Sequence, residues 1–481
     1  MTHTLAASPP PRRSHREKMK LAQSRLIAVV ALVIALLCPG HVAAYSLLTH
    51  EQLIDLTWKD SIVPLLLSRY PNLTPAELDR ARAYAYGGCV IQDIGYYPFG
   101  DQSFSDLTHY VRSGDFVVNL FRNAHDANEL AFAIGALSHY IGDSVGHAEA
   151  TNIAVPIEFP KLRAKYGNSV SYAEGKHQHV QTEFAFDINE IAHHRVAPLR
   201  YMRHIGLQVS MHQLALAFYQ TYGITEDFTG RRRINVRDYR FAVRTFIPRI
   251  AYAVTLLHHK DEPPDSTSPE VVELEKEAAE VAQDNNWQAY RRKAGLETHL
   301  IAGLLFILPK IGPLALVNVK GPTEQTEADY AHSVAVSTTA LRRNLARITP
   351  VQARYKGPIP LLGSLTHTND TSPQRRDSNH QLPNRDLDTG RVVQPGGYSL
   401  TDSTYARLLH KIVQNPTQPI PPGIKEDIQQ YYSNLDLPIT TKKNPERWKQ
   451  VRADLNTLAA MPTSNRPEPF PTYGDDQDSD E

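Results

Sequence analysis

Cysteine is almost absent: Cys38 and Cys89 are the only 2 in 481 residues. That excludes a disulfide framework and any cysteine-rich zinc module. Tryptophan and methionine are also scarce, with 3 and 5 residues. Net charge is missing too, since 51 basic residues face 51 acidic ones. A chain-wide field for nucleic acid, or a polybasic membrane patch spread over the whole chain, is thereby excluded. What the chain has is histidine, 21 of them. Any metal it binds must be held by imidazole and carboxylate.

Residues 25–44 read RLIAVVALVIALLCPGHVAA. The apolar run Leu26–Leu37 is 12 residues, the length of a signal-peptide core and too short for a bilayer span. Basic residues from Arg12 to Arg25 precede it, Pro39-Gly40 breaks it, and Val42-Ala43-Ala44 supplies the small residues of a cleavage site. Residues 1–44 are read as a signal peptide, with Met1 and Met19 both open as the start. The expected mature chain begins at Tyr45 and is exported, to the periplasm or the cell exterior. A retained membrane anchor is the competing reading.

From Tyr45 to about residue 260 the pattern is helical, and Val, Ile and Thr nowhere alternate with polar residues in a sustained run. An all-α fold is expected. Thr74-Pro75-Ala76-Glu77 is a capping box with proline at the first helical position. Further helical patterns cover 126–149, 176–193, 201–221 and 236–258. The sequence DEPPDSTSP at 261–269 marks a shift to a helical extension over 261–362. That extension holds the apolar stretch 299–319, read either as a membrane-touching hairpin with Lys310 at the headgroups or as a core helix pair. Residues 363–400, rich in Ser, Asn, Asp, Pro and Gly, are expected to form a solvated polar linker. Short helices are expected over 401–462 and a disordered acidic tail over 463–481.

The strongest local signal is His139-Tyr-Ile-Gly-Asp143-Ser-Val-Gly-His147. Each step of four residues advances about 400° on a helix, only about 40° past a full turn, so the side chains at i, i+4 and i+8 stack on one face within roughly 12 Å. An aspartate between two histidines can bridge two metals, one histidine serving each. The neighbours Phe132, Ile134, Leu137 and Ile141 are apolar, and ionisable groups on a buried face are costly unless something pairs them. A hydrogen-bonded cluster without metal is the plainer alternative. His179 and Glu183 form an i, i+4 pair able to chelate from one face, with His177 as a competing choice. Asp93, His109 and His50 are single residues, and each alone reads as ordinary.

In this order the pieces resemble the zinc-dependent phospholipase C family, related in fold to the S1/P1 nucleases. The matching positions are Tyr45, His50, Asp93, His109, His139, Asp143, His147, His179 and Glu183, over about residues 45–260. The resemblance implies an all-α domain that holds three zinc ions. Asp93, His109, His139 and Asp143 correspond to the ligands of the first, and His147, His179 and Glu183 to those of the second. The Tyr45 amine and carbonyl, His50 and the shared Asp143 correspond to those of the third. The spacing Asp143-x3-His147 is similar to that of the related domain of glycosylphosphatidylinositol-specific phospholipase D. Tyr45 stands where the better-known members have tryptophan.

The resemblance implies hydrolysis of a phospholipid to diacylglycerol and a phosphorylated headgroup, with Asp93 a candidate base. Transient contact with a membrane surface goes with that substrate, and no nucleic acid partner is expected. The alternatives are an S1/P1-like single-strand nuclease, phospholipase D-like cleavage, and a non-catalytic zinc-binding module. Oligomeric state is not legible.

Overall fold

The computed structural model describes residues 47–97, 100–226, 231–258, 267–291, 299, 321–348 and 382–464. The expectations for the signal peptide, for Tyr45, for the apolar stretch beyond residue 299 and for the tail beyond residue 464 lie outside the described residues. Among the described residues the fold is all-α. Among those residues, backbone pairing between extended segments is confined to two isolated bridges, Arg385 with Val392 and Ile420 with Thr463.

The fold is organised around the helix Ala127–Gly146, which is buried along almost its whole length. Asp126 opens it by accepting a hydrogen bond from Glu129 N at 2.8 Å. Its run of Ala, Leu, Ile and Phe is apolar on every side, as a helix enclosed by others must be. The helix Pro75–Gly88 lies across it, begun by the Thr74–Glu77 capping box. The two approach so closely at Gly88 and Gly135 that a Cβ on Gly135 would stand 2.2 Å from Ala85 O. Only glycine permits that crossing, and the crossing brings the Cys89 carbonyl onto the central helix.

Helices Leu47–Thr57 and Ser113–Arg122 also pack on the central helix. So does Glu324–Ile348, from beyond the 261–269 composition shift. Tyr330 on that helix lies 2.8 Å from Thr49 Oγ1 and donates to Gln52 Oε1 at 3.1 Å. Arg195 donates to Glu327 Oε1 at 2.7 Å. These buried polar contacts pin it over the N-terminal helix that carries His50. The helices Ser399–Val413, Pro422–Tyr431 and Pro445–Ala460 bury Leu409, Ile412, Ile424, Ile428 and Leu458 in the same apolar cluster as Leu130 and Phe132. No described helix is long and apolar enough to cross a membrane.

One expectation needs correction. The stretch 363–400 is not a solvated linker over its described part, 382–400, whose last two residues begin the helix Ser399–Val413. Leu382, Arg385, Asp386, Leu387, Asp388 and Val393 are buried there. Leu387 N donates to His109 O at 3.1 Å, and Ser113 Oγ donates to Arg385 O at 2.6 Å. The polar residues that suggested solvent instead satisfy one another. Asp386 accepts from Thr389 N and Oγ1 at 2.8 and 2.7 Å, and Arg385 donates to Gly390 O at 2.6 Å.

Candidate metal centre

His139 and Asp143 lie on the central helix, and His147 opens the π-helical turn His147–Thr151 that follows it. Such widened turns recur at functional sites because they redirect side chains in mid-helix. Asp93 comes from the 3-10 turn Ile91–Tyr96, His109 from the helix Gln102–Tyr110, and His50 from Leu47–Thr57. His179 and Glu183 come from Tyr172–Ala192. These eight residues are 0–2% exposed.

Asp143 is the hub. Its Oδ2 lies 3.1 Å from His139 Nε2 and 3.3 Å from His109 Nε2. Its Oδ1 lies 3.2 Å from His50 Nε2 and 4.0 Å from His147 Nε2. Asp93 Oδ1 lies 3.3 Å from His109 Nε2. Beyond Asp143, Glu183 Oε1 lies 3.2 Å from His147 Nε2 and 3.0 Å from His179 Nδ1. Three groups of potential ligand atoms thus converge, each within 4.8 Å: His50, His139 and Asp143; Asp93, His109 and His139; His147, His179 and Glu183.

The arrangement fits metal. Four ligands about 2.0–2.1 Å from a zinc form a tetrahedron with edges of about 3.3–3.4 Å. The spacings within the three groups run close to that edge. Buried carboxylates without an aligned donor are expensive unless a cation neutralises them. Both oxygens of Asp93, Asp143 and Glu183, and Nδ1 of His179, lack an aligned hydrogen bond.

Outer contacts fix the ring orientations. The Nδ1 atoms of His109, His139 and His147 face the carbonyls of Ser105, Cys89 and Leu387 at 2.7, 2.9 and 2.9 Å. Each donates to its carbonyl, which leaves Nε2 as the inward lone pair. His179 is turned the other way: its Nε2 faces Asn152 Oδ1 at 2.9 Å and Nδ1 points inward.

Electrostatics follow from burial and pairing. Burial lowers His179 to about 4, so it is a neutral lone-pair donor at neutral pH. Burial pushes Glu183 up to about 8, against the pull of His147. Burial also opposes charge on Asp143, but His139 and His147 outweigh it and hold that carboxyl well below its ordinary range.

Every described residue of the expected ligand set is therefore brought together, while Tyr45 lies outside the described residues. His177 faces solvent, which leaves His179 to pair with Glu183. Asn152, Asp388 and the carbonyls of Cys89, Ser105 and Leu387 escaped sequence reasoning. Backbone acceptors carry no residue signature, and Asn152, five positions past His147, falls off the i, i+4 stripe of His139, Asp143 and His147. Gly142-Asp143-Ser144-Val145-Gly146 has the Gly-x-Ser-x-Gly spacing of a nucleophile elbow. It lies inside the helix Ala127–Gly146 rather than on a strand-to-helix turn, so it does not form one.

Residues 49–227 match the family model described as zinc dependent phospholipase C. No curated protein and no solved structure matches the chain significantly. The matched segment contains every described residue of the metal centre. The helical domain over these residues belongs to the zinc-dependent phospholipase C family, a family of zinc-dependent hydrolases.

Proposed function

We propose that this protein is an exported phospholipase C that holds three zinc ions and cleaves a phospholipid into diacylglycerol and a phosphorylated headgroup. The observation that carries this reading is the division of Asp143 between two sets of imidazoles, with the His147–His179–Glu183 group on its far side. Asp93, His109, His139 and Asp143 would hold the first ion, and His147, His179 and Glu183 the second. His50 and Asp143, with the amine and carbonyl of Tyr45, would hold the third.

Bound zinc supplies positive charge opposite a phosphodiester and makes a water acidic near neutral pH. The chain's own part is to place those charges together in a buried, low-dielectric centre, where they act more strongly than in water. Asp93 is the group proposed to take the proton of the attacking water. Neither of its carboxylate oxygens has an aligned donor, so one can hold the ion while the other accepts the proton. The carbonyl-anchored rings of His109 and His139 hold the centre still while the proton moves. A brief contact with the membrane surface delivers the substrate. The 12-residue apolar run before Ala44 supports export, with the mature chain starting at Tyr45.

The test is turnover by zinc-loaded protein on phosphatidylcholine, p-nitrophenyl-phosphorylcholine and single-stranded DNA, with and without chelator. Chelator-sensitive release of diacylglycerol is expected. Release of phosphatidic acid would indicate cleavage on the other side of phosphorus. Turnover of DNA alone would move the chain to the nucleases. Full zinc loading with no turnover would leave a binding module.

A further inference from the structure

Two consecutive residues from outside the family-matched segment reach both histidines of one metal group. Leu387 O accepts from His147 Nδ1 at 2.9 Å. Asp388 O accepts from Asn152 Nδ2 at 2.7 Å, and the oxygen of that same amide faces His179 Nε2 at 2.9 Å. The orientation of Asn152 is fixed by this arrangement, because its nitrogen must donate to a carbonyl. Its oxygen is then the acceptor for His179, whose Nδ1 is left for the ion. One stretch of backbone thus sets the tautomer of His147 directly and that of His179 through one amide.

The carboxylate of Asp388 is itself locked. Tyr398 and Tyr110 donate to its Oδ2 at 2.5 and 3.1 Å, while Oδ1 sits 3.8 Å from His147 Nδ1. This places a buried negative charge behind a histidine whose other nitrogen faces Glu183. A carboxylate behind a metal-bound imidazole raises its basicity as a ligand. The turn is seated by Gly390, at φ +68°, where a Cβ would stand 2.1 Å from Ser144 O. The backbone one residue past Asp143 and the turn 386–390 therefore touch with no room for a side chain.

We propose that the turn 386–390 completes the His147–His179–Glu183 metal site, with Asp388 and Asn152 as positioning residues that set the affinity of that one ion. The inference rests on the reading of these three residues as ligands. It assigns to the C-terminal third of the chain, more than 150 positions past the end of the matched segment at residue 227, a part in the centre itself.

The experiment compares the unaltered full chain with Asn152→Ala, Asn152→Asp and Asp388→Asn. Zinc stoichiometry and affinity are read by competition with a chromophoric chelator, and the visible spectrum of the cobalt-loaded protein reports ligand geometry. Loss of such outer partners typically weakens metal binding 10–100-fold. Asn152→Ala and Asp388→Asn should weaken one ion by that factor, change its cobalt band and leave the remaining ions in place. Asn152→Asp keeps an acceptor for His179 Nε2 but has no donor for the Asp388 carbonyl, so it should recover only part of the affinity lost in Asn152→Ala. Equal affinity in all four proteins would overturn the positioning role alone. A loss shared equally by every ion would mark a general structural defect and overturn it as well. An unaltered protein that binds zinc but leaves this group empty would overturn both the positioning role and the ligand reading beneath it.

Discussion

Asp143 Oδ1 lies 3.2 Å from His50 Nε2, joining the central helix to the first helix of the domain across 93 positions of sequence (143 − 50). The imidazoles of His50 and His139 stack with centroids 4.2 Å apart, so the two proposed metal groups that would share Asp143 sit side by side. Asp143→Asn keeps the shape but removes the charge that both groups use. The expected result is loss of at least one zinc per chain by elemental analysis and nearly all turnover. Retention of wild-type zinc and rate would end the bridging assignment.

The histidine stripe on the central helix was legible because helical periodicity alone puts 139, 143 and 147 on one face. His179 with Glu183 followed from the same arithmetic. Asp93, His109 and His50 carry no periodic signal, and only their order beside the stripe marked them. The turn 386–390 was misread because Asp, Asn, Thr and Gly are the residues of solvated loops as well as of buried turns that satisfy themselves. Composition cannot separate those cases. The separation comes from what the turn meets, here His109 O, Ser113 and His147, some 240 to 280 positions earlier.

A second prediction concerns the core rather than the centre. Arg82 is buried beneath Trp58, with its guanidinium 5.1 Å from the ring centroid, and donates to Asp55 Oδ1 at 2.5 Å and to Tyr201 OH at 2.7 Å. Removing one partner of a buried pair strands the other charge, at a cost of about 3–5 kcal/mol. Arg82→Met should therefore lower the urea midpoint strongly. Arg82→Met with Asp55→Asn should recover part of the loss, since no uncompensated charge remains. Additive losses in that double-mutant cycle would show that the pair does not couple.

The N-terminus gives a third prediction. If export cleavage follows Ala44, the Tyr45 amine is free to chelate together with its own carbonyl as a five-membered ring. An amide nitrogen in an uncut chain has no lone pair to offer. Protein beginning at Tyr45 should hold about one zinc more than protein carrying a few extra residues before it, and should turn over faster. Equal zinc content and rate would remove the terminus from the ligand set and leave a two-zinc centre.

Glu183 gives the fourth. Without metal, burial raises its carboxyl to about 8 from an ordinary 4.5. The folded chain then binds a proton that the unfolded chain has released between those values, so this group costs stability as pH rises from 4.5 toward 8. Below about 4.5 it costs nothing, and above 8 the cost is complete. At roughly 1.4 kcal/mol per pK unit, the penalty near pH 7 is on the order of 3 kcal/mol. Glu183→Gln cannot ionise and escapes it. In chelator, the urea midpoint of Glu183→Gln should match wild type at pH 4.5 and exceed it by a growing margin toward pH 8. With zinc the order should invert, because binding converts the strained carboxyl into a ligand and stabilises only the wild type. Zinc binding at pH 7 should also release close to one more proton from wild type than from Glu183→Gln, read by calorimetry in buffers of different ionisation enthalpy. A difference in midpoint that stays constant from pH 4.5 to 8, with equal proton release, would mean that Glu183 is already ionised in the metal-free fold. Its charge would then have to be compensated within the protein before any ion binds.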